Sequence, residues 1–592
     1  MAAQRLLRLR VDAALVLPLG LAFCAAASWL SLLADLPWLF PGLVAGAAVA
    51  ALARRDRWRL VAGPSLLGAV PPWLAVIAVL CLVQYPFNRR SAQGDFLLDD
   101  LERIDTAFHV GVTWELATGY PPQVPGLAGV PLGYHVGPHL IRAAVLRWAH
   151  VHPYDALYRF DVTLWAVALI LALRAMAAAM GAPPRVAALV AWSLLATDFS
   201  FAFAGDPAAR WWTELLRGNL LLSLVFANSV VPALALALGC LVALRRFLSG
   251  EGSGWLVVAG VLGAALPFFK VFLAAQLLLG LGAALLLSER RVPLAAVALP
   301  CLAAGVALAL GHGGRSVEVL LDPLAPAALT RDMLGRPALA GAPLLAWSAL
   351  WLAASLGLRM LGVPRAVQAL RSRDAPRVAL AAVALSGWPL ALLLRVTADG
   401  VFNESVYFSV QSGALLWVFT CEALVALVAR GLSPWLVGAV SACLALPSSA
   451  EFVWRKARTP PDVVPARVLR AMAALEQASQ PGDVVLMRPF SRYPPPPIVF
   501  IGRRVAYTDY MPYMRQFASA PVLHERRELV RRFFRTGDPS EALAIARGLG
   551  ARFVYLFGPQ GIGIDPETVL EPIYVEGNAR VYRIPTEGAR RP

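Results

Sequence analysis

Charge is scarce in this chain. Asp, Glu, Lys and Arg make up 15% of its 592 residues while 58% are hydrophobic, against roughly a quarter charged in an ordinary soluble domain. That excludes a water-soluble globule. Lysine is almost missing: Lys270 and Lys456 are the only two, so arginine carries nearly all the positive charge. Arginine and lysine are not interchangeable, and a lysine inside an apolar stretch, as Lys270 is, stands out. The six cysteines, Cys24, Cys81, Cys240, Cys301, Cys421 and Cys443, all fall in apolar stretches. They exclude a disulfide-stapled exterior domain and a zinc knuckle, and read as small packing residues. There is no G-x-G-x-x-G and no P-loop. Gly558-Pro-Gln-Gly-Ile-Gly563 follows a strand pattern but lacks the helix and lysine of a phosphate cradle. No internal repeat of fixed period is present, and the one low-complexity tract is Pro494 to Pro497.

What the chain does have is apolar length. Mean hydropathy is +0.63, and hydrophobic runs of about 20 residues recur from Val11 to Ala450. Thirteen candidate spans are read: 11–34, 37–54, 70–87, 158–180, 184–203, 219–246, 254–269, 271–288, 293–313, 341–361, 378–395, 410–429 and 433–450. Loops that stay in the cytoplasm are rich in arginine. Arg54, Arg55, Arg57 and Arg59, then Arg245 and Arg246, then Arg290 and Arg291, then Arg365, Arg371, Arg373 and Arg377 fall on one side by this count. The net charge of +16 is therefore topological and calls for no nucleic acid. Val11 to Ala34 reads as a retained anchor with a cytoplasmic amino terminus in the inner (plasma) membrane. Parity puts 88–157, 204–218, 314–340, 396–409 and everything after Glu451 on the extracytoplasmic face.

The 88–157 segment is patterned. Leu97, Leu98, Leu101, Ile104, Phe108 and Val112 recur at helical spacing, and Leu140 to Trp148 repeat the pattern. Two interfacial helices joined by the proline-rich stretch Tyr120 to Pro131 are expected. Beyond about Pro460 the composition turns soluble. Asp483-Val-Val-Leu-Met487, Ile498-Val-Phe-Ile501 and Arg552-Phe-Val-Tyr-Leu-Phe557 read as buried strands, Ala466 to Ala478 and Pro539 to Leu549 as helices, and Ile573 to Ile584 as a hairpin around Gly577-Asn578. The fold class read is an all-α polytopic membrane domain, 1–455, with a small extracytoplasmic α/β domain, 456–592.

The strongest local signal is Asp105-Thr-Ala-Phe-His109, followed by Gly119, Pro121-Pro122, Gly129-Val-Pro-Leu-Gly-Tyr-His135 and His139. An aspartate opening a surface helix after an early span, a glycine fourteen residues on, then a G-x-P turn and an aromatic, resembles the first extracytoplasmic loop of the GT-C glycosyltransferases. Protein O-mannosyltransferases and lipid A aminoarabinose transferases belong to that superfamily. Thr106 stands where the family often has a second acid, and three spans precede the motif instead of one. The resemblance implies a GT-C-like membrane domain and inverting transfer of a sugar from a polyprenyl-phosphate donor to a glycan, lipid or protein acceptor at the outer face, with the aspartate as base.

The residues permit that chemistry on their own terms. A hydroxyl nucleophile needs a carboxylate to take its proton, and a leaving lipid phosphate needs fixed positive charge. Asp105 supplies the first, with Asp99 and Asp100 as alternative bases; a capping or interfacially paired carboxylate is the plain alternative. Lys270, in Leu266-Pro-Phe-Phe-Lys270, and Arg395, at the outer end of a span, are the candidate phosphate ligands. Snorkelling for the lysine, and pairing with Asp399 for the arginine, are their structural readings. His109, Tyr134 and His135, with Asp206, Trp211 and Trp212 of the 204–218 loop, offer hydrogen bonds and aromatic faces to a sugar, although tryptophan at this depth is also the ordinary interfacial belt. His135 and His139 have a metal-like spacing, but Gly133, Gly137 and Pro138 argue against a helix there. No metal is indicated and no cofactor is named. The competing readings are a lipid or polysaccharide flippase and a non-catalytic cell-envelope assembly protein. Against the flippase, the ionisable residues crowd the outer face and no repeated half appears.

Overall fold

The computed structural model describes residues 12–53, 66–99, 103–199, 220–311, 318–328, 337–397, 404–489, 497–509, 514–558 and 561–585. The chain is mostly helical. Among the described residues seven helices are long and apolar enough to cross a membrane: Ala13–Leu33, Pro153–Ala179, Val230–Leu248, Arg291–Gly311, Gly341–Leu370, Ala375–Leu393 and Val406–Ala429. Pro434–Ala445 and Pro447–Arg458 make an eighth if their 47° bend is taken as one crossing. Leu39–Leu52, Leu67–Val83, Gly254–Phe269 and Val271–Leu287 are apolar but shorter.

Hydropathy counts apolar residues without asking whether the hydrogen-bond ladder is continuous, and that is where the reading of thirteen spans differs. The 219–246 run breaks into Leu220–Val225 and Val230–Leu248 around Ala227, which has a left-handed φ of 48°. Among the described residues of the 184–203 run the helix covers Pro184–Val190; beyond it, Thr197 donates its N–H and its hydroxyl to the Ala445 carbonyl.

Along the chain, α1 (Ala13–Leu33) starts on Asp12, whose carboxylate accepts from the Ala14 N–H at 2.9 Å. Leu97 and Leu98, expected on a helix, lie in strand β1 (Phe96–Leu98); α2 (Arg103–Thr118) begins only after it. The proline-rich stretch is a small hairpin, β2 (Gln123–Val124) with β3 (Leu127–Pro131), and α3 (Gly137–Ala149) follows. Helices α4 (Gly254–Phe269) and α5 (Val271–Leu287) meet at Lys270, whose backbone is extended at φ −158°, ψ 107°. Strands β4 (Glu318–Leu321) and β5 (Leu394–Thr397) pair antiparallel, and α6 (Val406–Ala429) comes next.

The chain then leaves the bundle through α7 (Pro447–Arg458) and β6 (Asp462–Val464). β6 pairs with β1, Phe96 opposite Val464. Lys456, on α7, forms an ion pair with Asp99 just past β1, both buried at 0% and 1% exposure. Removing one partner of such a pair strands a buried charge, so this bond fixes the loop to the exit of the bundle.

Beyond it, α8 (Ala466–Ala478), β7 (Val484–Leu486), β8 (Arg504–Val505), α9 (Ala520–Arg535), β9 (Ala551–Phe557), β10 (Glu571–Glu576) and β11 (Ala579–Arg583) build a five-stranded sheet in the order β10-β11-β9-β7-β8 with helices against it. β9 is parallel to β7 and antiparallel to β11. Residues 498–501, expected as a strand, instead contain a short helix, Pro497–Phe500; a four-residue apolar run has no period to tell the two apart. This segment clamps α2. Trp114 Nε1 donates to the Val499 carbonyl at 3.3 Å, and buried Glu115 holds Arg504 at 2.9–3.1 Å through both carboxylate oxygens. Gly502 (φ +67°) is required here, because a Cβ would meet the Trp114 ring at 2.5 Å.

Candidate active site

Helix α2 carries Asp105, Phe108 and His109 at i, i+3 and i+4, so the three share one face. Thr106, on the adjoining side, hydrogen-bonds the Tyr158 hydroxyl and so ties α2 to the Pro153–Ala179 span. His109 Nδ1 lies 3.0 Å from His139 Nε2 on α3. Because α3 starts at Gly137, with Pro138 in its first turn, His139 is helical and His135 is not, and the two do not share a helix face. Gly137 and Pro138 open a helix here instead of forbidding one.

Tyr134 is the centre of an aromatic wall. Its ring stacks on His135 at 4.0 Å, stands edge-on to Phe108 at 5.3 Å, and lies 6.4 Å from His109. His135 Nε2 is 3.3 Å from the Ser229 hydroxyl. Lys270, 4% exposed, holds its ammonium 3.9 Å from the centroid of Tyr407 in the first turn of α6, a cation–π contact. Arg142, one turn along α3 from His139, is 2% exposed and ion-paired with Asp161.

Burial and neighbouring charge set the protonation of these groups. Burial, then the charges of Arg142 and Lys270, push His109 down to about 3. Burial, then Arg142, lower His139 well below the usual range. Tyr134 is raised by burial, then by Tyr407, Glu404 and Asp105. The charges of Asp105 and Lys270 thus reach the residues of this aromatic wall, and both histidines are neutral at physiological pH.

That neutrality has a measurable consequence. An unfolded histidine binds a proton below about 6.5, while folded His109 does so only near 3. The unfolded state thus holds more protons in between, and stability is full above 6.5 and falls as pH drops toward 3. From pH 6.5 to 5 the loss should be roughly 1–2 kcal/mol for one such histidine. Thermal unfolding of the purified chain between pH 7 and 5 checks this: His109→Gln should flatten the profile, and an unchanged acid sensitivity refutes the assignment.

The remaining expected residues fall elsewhere. Asp99 is the counter-ion of Lys456 and so is spoken for as a base. Arg395 sits on the β4–β5 ribbon, 36% exposed, with Asp322 at 3.9 Å as its acidic neighbour. Asp100, Asp206, Trp211, Trp212 and Asp399 lie outside the described residues. Sequence reasoning missed Arg142, Glu404, Tyr407 and Phe517. Of these only Arg142 left a local signal, three residues from His139 on an amphipathic helix.

No protein-family model matches the chain, and no curated protein matches it. Among solved structures it is similar to the oligosaccharyltransferase AglB from Archaeoglobus fulgidus, solved with an inhibitory peptide and a dolichol-phosphate (10% identity, 82% of this chain and 69% of that one, TM-score 0.45). It is also similar to ArnT from Cupriavidus metallidurans in the apo state (12% identity, 87% and 98%, TM-score 0.43). A third is the arabinofuranosyltransferase AftD from Mycobacteria (15% identity, 89% and 42%, TM-score 0.48).

Proposed function

We propose that the chain is a membrane glycosyltransferase that moves a sugar from a polyprenyl-phosphate donor to an acceptor hydroxyl at the extracytoplasmic face. The reading is supported by what surrounds the two groups: Asp105 shares a face of α2 with Phe108 and His109, whose rings lie 5.3 and 6.4 Å from that of Tyr134, and Lys270, packed on the Tyr407 ring, lowers His109. Base and cation are the two groups a displacement at an anomeric carbon needs.

In this reading the acceptor oxygen attacks the anomeric carbon while Asp105 takes its proton. The bond from that carbon to the phosphate oxygen breaks, and its electron pair leaves on the polyprenyl phosphate, whose charge Lys270 balances. A single displacement inverts the anomeric centre. His109 and His139, neutral and hydrogen-bonded to one another, have one N–H between them left to donate and do not compete for the proton. Arg395, on an exposed ribbon, would meet the phosphate only during donor entry.

Incubating the purified full chain with a panel of polyprenyl-phosphate sugars, and following release of polyprenyl phosphate, tests the activity; no release from any donor overturns it. The orientation is tested separately by impermeant thiol labelling in a chain whose six native cysteines are replaced. Asp538→Cys should label from outside and Ser372→Cys should not, and the reverse pattern refutes an outer-face site.

A further inference from the structure

The carboxy-terminal segment adds a second wall to this site, one that the reaction scheme above does not use. Phe517, at the end of the short helix Met514–Phe517, stacks parallel to Phe108 with 5.8 Å between centroids and 5° between planes. It stands edge-on to Tyr134 at 6.2 Å and 85°. Beside it, Gln516 Nε2 donates to Glu404 Oε1 at 3.3 Å. Phe517, Gln516 and Glu404 each keep part of their surface exposed. Phe108 is one turn from Asp105 on the same face of α2.

We propose that Phe517, with Gln516 and Glu404, forms the acceptor subsite and selects a neutral, hydroxyl-rich sugar ring. This rests on the transferase reading and extends it to the substrate class. The chemistry is that of carbohydrate recognition. An aromatic plane packs against the C–H face of a pyranose or furanose ring, and an adjacent amide and carboxylate present a donor and acceptors to its hydroxyl edge. The Glu404 carboxylate, held beside Phe517 by Gln516, repels an anion and so disfavours uronic acids or phosphorylated glycans at this subsite. Phe517 comes from a segment more than 400 residues away in sequence from Asp105, so acceptor choice and chemistry reside on separate parts of the chain.

The test uses the full chain in nanodiscs and reads binding without turnover, by saturation-transfer NMR with methyl glycosides of neutral hexoses and pentoses and the matching uronic acids. The wild type should bind neutral glycosides in preference to uronates. Phe517→Ala should weaken that binding by roughly tenfold, the scale of a lost aromatic contact, and Phe517→Trp should restore it. Glu404→Gln should narrow the gap between neutral and acidic sugars while keeping the ring contact. Phe517→Leu, which keeps apolar volume, serves if the alanine variant fails to fold, and should be equally weak. Equal binding of neutral glycosides by Phe517→Ala and wild type overturns the proposal, as does a preference for uronates that Glu404→Gln leaves unchanged. Because no transfer is needed, a chain that binds glycosides through Phe517 but releases no polyprenyl phosphate refutes the transferase reading and not this subsite.

Discussion

Asp105→Asn should lower the rate of sugar transfer by at least about a hundredfold, the loss expected when a general base is removed, while folding and donor affinity survive. The substitution keeps the shape and a hydrogen-bonding group but takes away the acceptor for the incoming proton. Three features of the site make the consequence sharp. His109, the neighbouring group one turn along α2, is held near pKa 3 and so is a poor substitute base. Glu115 lies two further turns on and is committed to Arg504. Asp99 is committed to Lys456, so Asp99→Asn should act through stability, stranding the buried ammonium, and not through a selective loss of turnover. The measurement is single-turnover transfer at saturating donor alongside thermal unfolding. Near-normal transfer by Asp105→Asn would move the base elsewhere.

Part of the candidate site is legible in the sequence because some of its residues are neighbours along the chain. Asp105 and His109 are four residues apart on a helix whose pattern could be read, and Lys270 stood out as one of two lysines in an arginine-rich chain. The rest depends on contacts that no window sees. His109 meets His139 thirty residues on, Lys270 meets Tyr407 well over a hundred residues on, and Gln516 meets Glu404 across 112 positions. The same limit governs the fold. Leu97 and Leu98 join a helical pattern by spacing, yet pairing with Val463 and Asp462 draws them into a strand, a choice made by a partner distant in sequence. Glu115 reads as an ordinary acid in an amphipathic helix, and only the arrival of Arg504 makes it the bolt between α2 and the carboxy-terminal sheet.

Lys270→Met should lower kcat/KM for the polyprenyl-phosphate donor by about 10²–10³-fold, the range for loss of one preorganised group aimed at developing charge. Methionine is the informative replacement because it keeps the length and apolar stem of the lysine and removes only the ammonium. If the lysine's role were only to pack its stem at the junction beside Tyr407, Lys270→Met would preserve the junction of α4 and α5 and leave turnover nearly unchanged. If the ammonium meets the phosphate, the loss appears in donor affinity and grows in the transition state, where the leaving oxygen carries more charge than in the ground state. Lys270→Arg separates charge from shape: it restores the charge but not the compact geometry at a hinge whose backbone is extended, so partial recovery is expected. A second signature is independent of turnover. Lys270 helps to depress His109, so Lys270→Met should raise the histidine's titration point toward its ordinary value and move the acid limb of the stability profile downward in pH range lost, that is, stability should persist to lower pH than in the wild type. NMR titration of the histidine ring reads this directly. A variant with intact donor turnover and an unmoved His109 would return Lys270 to a packing role.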